Sequence, residues 1–203
     1  MHPDIDKHVE SVLAVTDHAD NRFSRTFDSL RDLSQQLNTP LAIVGGLAGI
    51  YHGSGVTTLD IDIVVSASRV DEFATIAVAN GFQLVRHSPR GWHLFESPWG
   101  VRVELLPSGQ RTPRDPADAP PIPTPQELGV ESGVGYAAFA PWVMMKLVAA
   151  RDKDRYHLIE AIKQANEAKM SLVVLWLQSH GPQYLPEWSR LVTAAQDEDQ
   201  SSW

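Results

Sequence analysis

The spacing of apolar residues changes character several times along the chain, and each change predicts a different element. Phe23, Phe27, Leu30, Leu33 and Leu37 recur at steps of three and four, with Arg25, Asp28, Arg31 and Asp32 between them. That period predicts a helix over about Asn21 to Leu37, ended by Asn38-Thr39-Pro40. Leu41 to Val44 is a short apolar run that reads as a buried strand and leads into Gly45-Gly46. Leu47 to His52 returns to helical spacing. After Gly53-Ser54-Gly55, Leu59 to Val65 alternates acids with aliphatics, as a strand does. Ser68 and Asp71 have the spacing of a capping box before a helix carrying Phe73, Ile76 and Ala77, and Asn80-Gly81 is its stop. Phe82–Val85, Trp92–Phe95 and Val101–Leu106 predict three more strands, with a turn at Ser97-Pro98-Trp99-Gly100.

The next stretch breaks every period. Pro107, Pro113, Pro116, Pro120, Pro121, Pro123 and Pro125 are half of the chain's 14 prolines, so neither a regular helix nor a central strand fits there. Beyond it the pattern is helical. Pro141 suits a first turn ahead of Val143, Met144, Leu147 and Val148, and Leu158, Ile159 and Ile162 mark a second helix. Leu172 to Leu177 reads as a third, stopped at Gly181. A short last helix starts at Pro186 and carries Trp188, Leu191 and Val192, with 197–203 frayed. The expectation is an α+β chain: a small mixed sheet with flanking helices over residues 1–107, a Pro-rich connection over 108–127, and a helical part over 128–203.

Composition narrows the chemistry. The 203 residues include no Cys, which excludes disulfides and thiolate metal sites. The start Met1-His2-Pro3-Asp4 has neither a basic nor an apolar segment, and the longest apolar run is too short to span a bilayer, so a cytoplasmic protein with no membrane partner is expected. A net charge of −8 disfavours a broad nucleic-acid-binding surface and favours a small charged substrate with its own cations. No His-Glu-x-x-His segment is present, and the tryptophans are not interleaved with basic residues.

Within this frame Asp60 and Asp62 stand two apart in a strand and project to one face, while Leu59, Ile61 and Ile63 project to the other. Adjacent carboxylates repel, and a divalent cation relieves that repulsion; oxygen-only donors suit Mg²⁺ or Mn²⁺. A half-buried edge strand with a solvated acidic face would show the same spacing. Gly45-Gly46, between a strand and a helical segment, permits close approach of an anion to the backbone, and Ser54, Thr57 and Thr58 offer hydroxyls nearby.

Gly45-Gly46, thirteen residues, then Asp60-Ile61-Asp62-Ile63 resembles the signature of the polymerase-beta-like nucleotidyltransferase superfamily, and most closely its minimal, AbiEii-like members, several of which are toxins of toxin–antitoxin pairs. Lys146 followed by Arg151-Asp152-Lys153-Asp154 is similar to a segment in the helical half of that family, so the resemblance spans roughly Leu41 to Ala165. It implies that Glu104 is the third carboxylate beside Asp60 and Asp62, catalytic and metal-binding together. It further implies that Gly45, Gly46, Thr58, Lys146, Arg151, Lys153 and Asp154 contact the nucleotide. The implied partners are a nucleoside triphosphate, an unidentified acceptor (protein, tRNA or small molecule) and an antitoxin. Three positions depart from the pattern: Val56 where many relatives have Arg, His157 where a second Asp is common, and Glu rather than Asp at position 104. The leading expectation is a Mg²⁺- or Mn²⁺-dependent nucleotidyltransferase. The alternative is a catalytically silent nucleotide-binding or protein-interaction module on the same fold. His157, beside Tyr156, reads as a surface or packing residue rather than a base.

Overall fold

A computed structural model describes residues 22–55, 57–112 and 115–201. Val56, one of the departures noted above, lies outside the described residues, as does the position before Arg22.

The elements in chain order are α1 (Arg22–Leu37), β1 (Leu41–Ile43), α2 (Gly45–Tyr51), β2 (Asp60–Val65), α3 (Val70–Ala79), β3 (Gln83–His87), β4 (His93–Glu96), β5 (Arg102–Pro107), β6 (Val134–Tyr136), α4 (Phe139–Ala149), α5 (Asp152–Lys163), α6 (Glu167–His180) and α7 (Leu185–Ser201). The six strands form one mixed sheet in the order β3-β4-β5-β2-β1-β6. β2 runs parallel to β5 and antiparallel to β1, while β6 lies parallel to β1 at the sheet's edge. The chain therefore has the α+β architecture that its hydrophobic pattern predicts, a small mixed sheet with helices flanking it and further helices at the C-terminal end.

Alternation along β2 divides the core. Ile61 and Ile63 are fully buried with Val103, Leu105 and Phe95, and α1 and α3 cover this face with Leu30, Leu33 and Phe73. A second cluster lies across the sheet, where Ala42, Val44 and Val64 meet Trp142, Val143 and Leu147 of α4, Leu158 of α5, Val173 and Leu177 of α6, and Trp188 of α7. The C-terminal helices thus close over the β1 end of the second face and leave its β2-β5-β4 part uncovered. Among the described residues no helix is long and apolar enough to cross a membrane.

Four elements differ from the sequence reading. α2 begins at Gly45 rather than Leu47, because glycine breaks apolar periodicity without preventing a helical turn. The Ser68/Asp71 capping box does not form: a 3₁₀ turn over Ala67–Arg69 precedes α3, whose cap makes no side-chain hydrogen bond. β6 was not expected, since three residues containing a glycine carry too little pattern to register as a strand. Residues 197–201 are helical, as the end of a 17-residue α7 rather than a frayed tail.

Candidate active site

The acidic side chains are placed by strand pairing. β2 and β5 run parallel with Asp62 opposite Glu104 and Asp60 opposite Arg102, so Asp60, Asp62 and Glu104 share the uncovered face. All three line a cavity of about 660 Å³ between the sheet and the C-terminal helices. Burial, then the neighbouring charges of Asp60 and Glu104, push the Asp62 carboxyl up from 3.8 to about 7. Lys146 and Arg151 act on it in the opposite sense from across the cavity. The Thr58 hydroxyl donates to Asp60 Oδ1 at 2.5 Å and fixes one of its oxygens.

The glycine pair is pressed onto this strand. Gly45 has φ +63°, and a Cβ built there would lie 1.7 Å from Asp62 Oδ2. A Cβ on Gly46 would lie 2.8 Å from the Thr58 Cβ. Both positions line the cavity. The first requirement for glycine here is therefore space for Asp62 and Thr58 beneath the first turn of α2. Trp142, fully buried in α4, donates from Nε1 to the Gly45 carbonyl at 3.0 Å and ties that turn to the C-terminal helices.

The opposite wall is cationic and is organised by one buried acid. Asp154 is 0% exposed and Lys146 5%. Lys146 Nζ donates to Asp154 Oδ1 at 2.8 Å, while Arg151 donates from Nε to Oδ2 at 2.5 Å and from Nη2 to Oδ1 at 3.1 Å. Burial raises the Asp154 carboxyl, yet the hydrogen bonds and charges of Arg151 and Lys146 outweigh it, and the group lies below its ordinary value. A tight turn makes the arrangement possible. α4 ends at Ala150 in the left-handed region (φ 50°), and α5 starts two residues later. Lys146, Arg151 and Lys153 line the cavity, whereas Asp154 sits behind them and spends both oxygens on holding two of the cations. It orients two cavity-lining cations and is not itself among the lining residues.

His157, expected to be an ordinary surface or packing residue, also lines the cavity. Its Nδ1 lies 3.5 Å from Lys146 Nζ. Burial, then the Lys146 charge, hold it down to about 4, so near neutrality it is an uncharged acceptor for that ammonium. Sequence reasoning also missed Trp92 and Arg86, which line the cavity from β3 and the approach to β4. Cross-strand register could have found Arg86. Arg86 pairs with Leu94, which pairs with Glu104, so one row crosses the sheet from Arg86 to Asp62 on the acidic face.

The donor set fits a hard divalent cation: three carboxylates on one face, oxygen-only, and one of them raised toward neutrality by burial and then by the other two. Among the described residues no three His, Cys, Asp or Glu side chains close into a metal-holding cage. Asp60 and Asp62 are the pair on one strand. Glu104 stands on the neighbouring one, and ligand oxygens would have to complete any coordination sphere.

No protein-family model matches this chain, and no curated protein matches it. Solved structures do. A CCA-adding enzyme in complex with ATP aligns at 28% identity over 49% of this chain and 23% of its own, with a TM-score of 0.39. ANT(2'')-Ia in complex with adenylyl-2''-tobramycin aligns at 14% identity over 85% and 97%, with a TM-score of 0.45. The Thermotoga maritima CCA-adding enzyme complexed with tRNA aligns at 21% identity over 84% and 45%, with a TM-score of 0.41. The chain spans about a quarter to a half of these CCA-adding enzymes and nearly all of ANT(2'')-Ia.

Proposed function

We propose that the chain is a divalent-cation-dependent nucleotidyltransferase of the polymerase-beta-like type, moving a nucleoside monophosphate from a nucleoside triphosphate to an acceptor hydroxyl. The observation that carries this reading is the opposition, across one cavity, of three same-face carboxylates and three cations, two of which share a buried aspartate. A triphosphate needs both walls: direct positive charge on its oxygens, and a cation site that neutralises the charge left over.

Lys146, Arg151 and Lys153 bind and orient the phosphates, and the Asp154 clamp keeps the first two from folding back onto the carboxylates. Asp60 and Asp62 would hold Mg²⁺ or Mn²⁺, which when bound supplies charge neutralisation at the phosphates. Glu104, on the strand beside Asp62, takes the proton of the acceptor hydroxyl. The acceptor oxygen then bonds to the α-phosphorus as the bond between that phosphorus and the α–β bridging oxygen breaks, and pyrophosphate leaves. Positioning and charge complementarity suffice for such a transfer, because no covalent intermediate on the protein is required.

Incubation with an α-labelled triphosphate, Mg²⁺ or Mn²⁺ and pools of protein, tRNA and small-alcohol acceptors tests the reading through transfer of label and release of pyrophosphate. The AbiEii-like toxin role belongs to the same proposal. It is supported by the Lys146 and Arg151–Asp154 segments, and co-purification with a co-expressed neighbouring antitoxin checks it. A second reading, nucleotide binding without transfer, takes its support from the described acidic side chains not closing into a metal-holding group. Metal-dependent binding with no labelled product from any acceptor pool would select it.

A further inference from the structure

Away from Lys146 and Arg151 the cavity carries apolar lining, interrupted by Arg86, that the phosphate-binding groups leave unused. Leu106 follows Glu104 by two residues on the same face of β5, about 7 Å further along the strand. Trp92 immediately precedes β4. Alternation places it on the side of Leu94, the cross-strand neighbour of Glu104, and so on the acidic face. Leu106, Trp92 and Met145 pack against the same apolar cluster, which contains Ile122 of the Pro-rich segment. That segment is pinned in place. Gly109 N–H donates to the Ile122 carbonyl and Ile122 N–H to the Gln110 carbonyl, both at 2.8 Å. The Thr112 N–H and hydroxyl bind the Asp115 carboxylate at 2.7 and 2.6 Å, and Arg111 Nε donates to the Ala119 carbonyl. Pro120, Pro121 and Pro123 line the cavity together with Trp92 and Met145.

The Trp92 indole N–H is buried and has no hydrogen-bond partner. A buried donor left unpaired is costly and calls for an acceptor. Flat proline and thioether surfaces, an indole and one unpaired donor suit a planar, uncharged heterocycle with acceptor atoms on its edge. An aliphatic chain would leave the donor unpaired.

We propose that Trp92, Met145 and the Pro120–Pro123 strap form the nucleobase subsite, with the Trp92 N–H, after a small side-chain rotation, donating to a ring nitrogen or carbonyl of the base. The proposal rests on the nucleotidyltransferase reading and assigns that site its base selectivity. The strap is then a specificity wall and not merely a connection.

Calorimetric titration of the full chain, in Mn²⁺, with each of the four common nucleoside triphosphates and with inorganic tripolyphosphate separates the two claims. The expected result is that at least one nucleotide binds on the order of tenfold or more tighter than tripolyphosphate, the scale of one base–aromatic contact. Trp92→Ala and Met145→Ala should each remove most of that advantage and leave tripolyphosphate affinity within about twofold. Trp92→Phe keeps the apolar wall but loses the donor, so it should retain the advantage over tripolyphosphate and lose discrimination among bases. Equal affinity of all five ligands for the wild type overturns the subsite while leaving the phosphate site standing. Unchanged base preference in both Trp92 variants does the same. Failure of every ligand, tripolyphosphate included, overturns the nucleotidyltransferase reading itself.

Discussion

Replacing Asp62 with Asn should stabilise the metal-free protein, and by an amount that depends on pH in one direction only. In the folded chain the Asp62 carboxyl titrates near 7 rather than 3.8, through burial and then the charges of Asp60 and Glu104. Between these two values the folded state holds a proton that the unfolded state has released, so stability falls as pH rises from about 4 to about 7 and stays low above it. Three pKa units correspond to about 4 kcal/mol at 1.36 kcal/mol per unit. Asp62 is only partly buried, and screening by solvent brings the expected effect nearer 2 kcal/mol. Asn cannot ionise. At pH 8 Asp62→Asn should therefore melt roughly 4–8 °C above the wild type, on about 2–4 °C per kcal/mol for a chain of this size. At pH 4.5, where the native carboxyl is neutral, the gap should close. Mn²⁺ should raise the melting temperature of the wild type at pH 8 and leave that of the variant nearly unchanged. Thermal melts of both proteins from pH 4 to 8 in chelator, then with Mn²⁺, read all of this. A constant gap across pH, or a variant less stable than the wild type at pH 8, would refute the raised Asp62 carboxyl from which this prediction is drawn.

The other predictions concern what supports the site. Asp154→Asn leaves Lys146 without its buried counter-charge and should cost about 3–5 kcal/mol in urea unfolding, with triphosphate affinity falling alongside. Gly45→Ala drives a Cβ into Asp62 Oδ2 at a positive φ; it should destabilise by at least 1–3 kcal/mol and abolish Mn²⁺-dependent nucleotide binding by calorimetry. Trp142→Phe removes the 3.0 Å bond to the Gly45 carbonyl and should cost about 1 kcal/mol of stability in denaturant melts. Ala150→Gly relieves a left-handed backbone at the end of α4 and should gain about 0.5–1 kcal/mol in the same melts.

Most of the sheet was legible in the sequence because one face of each strand is buried. The alternation of Asp60 and Asp62 with Ile61 and Ile63 sets both the strand and its orientation, and Val103 and Leu105 flanking Glu104 repeat the device on β5. The pairing of those two strands is what brings Glu104 beside Asp62, and the motif alone points to it only through family resemblance. β6 escaped because its strand character comes from pairing with β1 and not from its own three residues. The start of α2 was misjudged because Gly45 and Gly46 are there for close packing, which overrides their poor helix propensity. Trp92, Trp142 and His157 carry no local signal. Each acquires its place from contacts far away in sequence: Trp142 from Gly45, His157 from the turn that presents Lys146, and Trp92 from the proline strap. The family resemblance makes Asp154 a nucleotide contact, whereas in the fold it is fully buried and its oxygens are committed to Lys146 and Arg151.

The most direct test is a paired labelling experiment at pH 8 with Mn²⁺ and the acceptor pools, using the preferred triphosphate labelled at the α- or the γ-phosphate. Nucleotidyl transfer predicts that α-label moves onto an acceptor while γ-label leaves as pyrophosphate, and that Asp60→Asn and Asp62→Asn do neither. Release of γ-label as inorganic phosphate with no α-label on any acceptor would contradict it, as would full transfer by either aspartate variant.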